Sequence, residues 1–66
     1  MTVTVNGRER ELPRDTTVSL LLEALGIRPD GVAVAIGREV VPRSRHAEQV
    51  LAEGQQVEIL RAVGGG

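Results

Sequence analysis

The chain predicts an α+β fold, one mixed β-sheet of four to five strands with a single main α-helix packed on one face. Three observations carry that expectation. β-Branched residues alternate at period two in several short runs, which is the spacing of half-buried strands. Only one stretch has the apolar period of a helix, Val18, Leu21, Leu22 and Leu25 at i, i+3, i+4 and i+7. The order is a hairpin, the helix, then further strands, so the helix must return the chain to a sheet already begun.

Each element has a local reason. In "MTVTVN", Val3 and Val5 share one face and Thr2 and Thr4 the other. Asn6-Gly7 follows, a strong hairpin signal because both central residues of a type I′ turn need positive φ. "RERELP" pairs back as a second strand and is ended by Pro13. Asp15, Thr16 and Thr17 are successive N-cap candidates ahead of the helix. Gly26 stands where the helix would stop in a left-handed residue, with Pro29 shortly beyond. Leu20 falls off the stripe and flanks the core.

"GVAVAIG" places Val32, Val34 and Ile36 on one face and Ala33 and Ala35 on the other. Gly37 turns the chain into "REVV", a short strand halted by Pro42. "SRHAEQVLAEG" reads as a brief helical or 3₁₀ stretch with Ser44 as its cap, closed at Gly54. "QVEIL" then resumes alternation, Val57 and Ile59 inward and Glu58 outward, reaching about Leu60 or Ala62 before the glycines. A right-handed crossover would lay a later strand parallel to the first. That arrangement is the β-grasp, or ubiquitin-like, fold: a domain over 1–62 and a flexible glycine tail over 63–66. With one helix on one face, the other face keeps small or apolar groups outward, Ala33, Ala35 and Leu60, and such a patch often marks a partner site.

Composition narrows the function. Sixty-six residues bury only about 60% of the surface their unfolded chain exposes, leaving no room for a deep catalytic cavity. The chain has no Phe, Tyr or Trp, hence no stacking platform for single-stranded nucleic acid. Eight Arg stand against nine acidic residues, which is not the footprint of a nucleic-acid binder. No apolar run reaches the twenty or so residues of a membrane span and no signal-peptide pattern opens the chain, so a cytoplasmic protein is expected. Cys is absent, so no thiol nucleophile or persulfide sits on a side chain. Every basic residue is Arg, which is often a matter of genomic base composition; it also leaves no lysine amine for a Schiff base or isopeptide bond.

Nor do the polar residues assemble a catalytic pattern. His46 is the single histidine, and a lone His in a surface turn is ordinarily a solvated or packing side chain. No second His or Cys stands at metal-ligand spacing, so no metal is expected. Glu9, Glu11, Glu23, Glu48, Glu53 and Glu58 fall on predicted exposed faces. Ser19 has no base near it, and Gly7, Gly37 and Gly54 are isolated turn glycines rather than a phosphate cradle.

That leaves "VEILRAVGGG". At a usage of about 7%, three glycines together at one chosen place occur roughly once in three thousand chains. Chance, fraying and a remnant of cloning are the plain explanations. The alternative is that Gly66 delivers its α-carboxylate, with Gly65 and Gly64 as a thread without Cβ that reaches roughly 10 Å. A carboxylate becomes an electrophile only when its oxygen is made a leaving group, as by adenylation with ATP, and an activating enzyme would have to supply the nucleotide site.

"VNG", "TVSLLLEALG", "VAVAIGREVVPRSRHAEQVLAEGQQVEIL" and the terminal "AVGGG" together resemble the small sulfur carrier proteins of thiamine biosynthesis (ThiS-like) over essentially the whole chain. Two positions depart from that pattern: His46, where an aromatic is common, and Gln55, where an acidic residue is frequent. The resemblance implies a carrier with no active site and no bound cofactor. An E1-like (ThiF-like) adenylyltransferase would use ATP to make the acyl-adenylate at Gly66. A cysteine desulfurase or other persulfide donor would convert it to a thiocarboxylate, and a thiazole synthase (ThiG-like) would accept the sulfur. Gly64 and Gly65 would form the thread, while Val63, Arg61 and Leu60 with Ala33 and Ala35 would dock the partner. Three alternatives stand beside it. One is the same chemistry for another client, namely molybdopterin, an amino acid or a specialised metabolite. The others are a ubiquitin-like protein modifier and a plain interaction module.

Overall fold

Residues 1–61 are described by the structure, a computed structural model, and they form five strands and one helix. β1 (Thr2–Val5) and β2 (Arg8–Glu11) make the first hairpin, paired from Thr2↔Glu11 to Val5↔Arg8. Its turn has Asn6 at φ 50° and Gly7 at φ 82°, the two positive values that the Asn-Gly dipeptide predicts.

α1 (Val18–Ala24) begins at Thr17, whose side-chain oxygen accepts from the Leu20 amide at 3.2 Å. Of the three cap candidates Thr17 takes the role. Thr16 instead donates to the Pro13 carbonyl at 2.6 Å, and Asp15 sits at φ 66° in the turn before. The helix stops at Gly26, φ 69°, where Gly26 N donates to Glu23 O and Ile27 N to Leu22 O, the paired bonds of a Schellman motif. Val18, Leu21 and Leu22 are buried, Leu25 half-buried, and Leu20 is turned outward.

β3 (Val32–Ile36) and β4 (Glu39–Val41) form the second hairpin, and β5 (Gln56–Arg61) closes the sheet. The strand order is β2-β1-β5-β3-β4, so the last strand lies at the centre, parallel to β1 and antiparallel to β3. This mixed sheet with one helix is the β-grasp arrangement. The core is Val3, Val5, Val34, Val41, Val57 and Ile59 from the sheet against Val18, Leu21 and Leu22 from the helix, with Leu51 from the loop before β5.

That loop corrects one expectation, that Ser44 caps a helical stretch. Its helical part is only the 3₁₀ turn Arg43–Arg45, and Ser44 lies within the turn instead of capping it. Pro42, at φ −59° and ψ 147°, holds the entry position, and no side chain caps the turn. His46 does stand in the turn that follows, and its side chain packs inward: it is 3% exposed, with Nε2 3.1 Å from the Val41 carbonyl oxygen. The segment folds back over the helix start through Val18 N to Gln49 O, Ser19 N to His46 O and Leu51 N to Thr16 O, and that closure buries the imidazole.

Candidate functional site

Cross-strand register decides which side chains share a face, because partners in an antiparallel pair point the same way. Ala33 pairs with Leu60, and Ala35 pairs with Glu58 on one side and Val40 on the other. These residues therefore occupy the sheet face opposite the helix. Leu60 is 60% exposed and Val40 68%, Ala33 is exposed and Ala35 half-buried. The small alanines form a shallow floor between two projecting aliphatic chains. Glu58 bounds it towards β1, and the rest of that face carries Thr2, Thr4, Glu9, Glu11 and Gln56.

Val40 was absent from the sequence-derived patch. The signal was available, since Val41 had to face inward beside Val34 and its neighbour must then face out. Arg61 is a different matter. It pairs with Val32, and alternation sends it to the opposite face from Leu60. There it borders a depression with Arg28, Asp30 and Gly31. The sequence-derived docking residues thus fall on two sides of the end of β5. Val63, Gly64, Gly65 and Gly66 lie outside the described residues, as does the expected boundary between a domain over 1–62 and a tail over 63–66.

The last described strand is well fixed. β3 pairs with β5 along its length, from Ile36↔Val57 to Val32↔Arg61. β1 pairs with it only at Gln56 and Val57. Beyond Val57 the β1 edge is continued by Asn6: its backbone amide donates to Val57 O at 2.9 Å, its Oδ1 accepts from Ile59 N at 2.8 Å, and its Nδ2 donates to Ile59 O at 3.2 Å. Sequence reasoning assigned Asn6 to the turn alone.

Glu9, Glu11, Glu23, Glu48, Glu53 and Glu58 are all exposed, as expected for solvated carboxylates. Among the described residues no cluster of three or more His, Asp or Glu could hold a metal ion. No helix among them is long and apolar enough to cross a membrane.

The same framework occurs in known proteins. The chain's similarity to the sulfur carrier protein ThiS of Escherichia coli (strain K12) is 32% identity across the whole of both chains. It is 38% identical over all 66 residues to a thiazole synthase of Paramagnetospirillum magneticum. The chain spans about a fifth of the length of the curated thiazole synthases it matches. The crystal structure of the thiamine biosynthesis protein (ThiS) of Geobacter metallireducens superposes with a TM-score of 0.87 at 32% identity, with both chains covered completely. The ThiS family model matches residues 3–66, nearly the entire sequence, and the chain belongs to that family.

Proposed function

We propose that this protein is a sulfur carrier for thiazole formation in thiamine biosynthesis, working in the cytoplasm as a cosubstrate with no active site of its own. The observation that carries the reading is the end-to-end match with the sulfur carrier of Escherichia coli on a shared fold. The central position of β5 supports it mechanically, because the strand leading to the glycines is held on both edges.

The chemistry proceeds in balanced steps. The Gly66 carboxylate oxygen attacks the α-phosphorus of ATP on an E1-like adenylyltransferase, and pyrophosphate leaves. The terminal sulfur of a protein persulfide, supplied by a cysteine desulfurase, attacks the acyl carbon and expels AMP. A thiol then cleaves the resulting acyl disulfide, taking one sulfur into a new disulfide and releasing the thiocarboxylate. Gly64 and Gly65 are the thread, since a chain without Cβ fits a narrow channel. Docking falls to Leu60, Ala33, Ala35 and Val40 on the open face, with Arg61 and Val63 nearer the reacting end. A thiazole synthase is the acceptor, and the thiazole synthases in which a segment like this chain occupies a fifth of the length favour that partner.

Intact mass tests the reading. After incubation with the activating enzyme, ATP and a persulfide donor, one oxygen should be exchanged for one sulfur. A covalent adduct to another protein would identify a modifier, and an unchanged mass would refute the carrier reading.

A further inference from the structure

We infer that Asn6 is a positioning residue for the proposed transfer, a side-chain splice that holds the last strand in register at the point where it loses its parallel neighbour; the inference rests on the carrier reading above. β1 must stop at Val5 because the chain reverses at Asn6-Gly7, which would leave the adjoining edge of β5 uncovered from Ile59 onward. The Asn6 side chain replaces the missing peptide. One amide supplies an acceptor for Ile59 N–H at 2.8 Å and a donor for Ile59 C=O at 3.2 Å, the pair of bonds a neighbouring strand would have made. The amide orientation follows from chemistry, since Ile59 N–H must meet an oxygen and Ile59 C=O a nitrogen. Ile59 lies two residues before Arg61, so the splice sits close to the root of the glycine segment.

The turn by itself does not require this residue. Positive φ at the first turn position is met by Gly, Asn or Asp alike, whereas only Asn carries both a donor and an acceptor. The two roles can therefore be separated. Asn6→Gly keeps the turn and removes both bonds to Ile59. Asn6→Asp keeps the turn and the acceptor, and sets a carboxylate oxygen against the Ile59 carbonyl where the N–H had been. A strand end free to shift directs the reacting carbon less well once the carrier is docked. That loss belongs in kcat, because small misplacements of a bound reactant slow the chemical step.

Amide hydrogen exchange and steady-state adenylation, run on wild type and both variants, decide the matter. In Asn6→Gly the Ile59 amide should exchange about tenfold faster or more, while the Gly37 amide, bonded to Gln56 O at 2.8 Å, keeps its wild-type rate. In both variants kcat for adenylation should fall about three- to tenfold, with KM for the carrier within about twofold of wild type. An unchanged Ile59 exchange rate in Asn6→Gly would overturn the inference, as would faster exchange with an unaltered kcat. A rise in KM alone would overturn it in favour of a direct docking contact. If Asn6→Gly fails to fold, the kcat and KM of Asn6→Asp decide alone. A wild-type protein that is never adenylated removes the carrier reading and this inference together, whereas a normal wild type with unaffected variants removes only the splice.

Discussion

Replacing Leu21 with Ala should separate a correct helix register from a wrong one. Leu21 is 0% exposed and packs in the centre of the core, whereas Leu20, its immediate neighbour, is 51% exposed. The substitution removes three carbon groups at about 0.8 kcal/mol each, or about 2.4 kcal/mol of transfer energy. A residual void of about 40 Å³ adds about 1 kcal/mol at roughly 24 cal/mol per Å³. The expected loss is thus about 3 kcal/mol, from a domain whose total stability at 66 residues is about 3–10 kcal/mol. For a chain of this size that lowers Tm by about 12–24 °C. Leu20→Ala should cost less than about 1 kcal/mol. Far-UV circular dichroism during heating and urea titration is the assay, because a protein without Trp, Tyr or Phe offers no intrinsic fluorescence. Equal losses in the two variants, or a larger one for Leu20→Ala, would refute the packing.

Deleting Gly66, or adding one residue after it, should abolish sulfur transfer in the thiocarboxylate mass assay while leaving Tm within about 2 °C. Thr17→Ala removes the acceptor for Leu20 N and should cost about 1 kcal/mol by urea titration, with partner activity retained. Leu60→Arg, on the open sheet face, should change stability by less than about 0.5 kcal/mol and raise KM for the carrier in adenylation about tenfold. An unaltered KM would remove that face from the docking surface.

Local physics made much of the architecture legible in advance. The Asn-Gly turn, a helix cap among Asp15, Thr16 and Thr17, the four-residue helical stripe and the Gly26 stop each depend on a few adjacent residues, and the structure has all of them, with Thr17 as the cap. The alternation of β5 likewise gave its inward residues, Val57 and Ile59. The glycines stood out by composition, and the likeness to sulfur carriers gave them a use.

Tertiary structure alone decided what depends on residues far apart in the chain. Whether His46 would be solvated or buried turned on how the loop before β5 closes over the start of the helix, and Ser44 lost its capping role in the same segment. Alternation already turned Val40 outward and Arg61 away from Leu60, but that Val40 and Leu60 flank the same two alanines follows from the registers of β4 and β5 against β3. The Asn6 amide meets Ile59 across 53 residues of sequence. Periodicity reports which way a side chain points relative to its own neighbours. Hydrogen bonds between strands fix which residue stands opposite, and that pairing is settled only when the whole sheet has assembled.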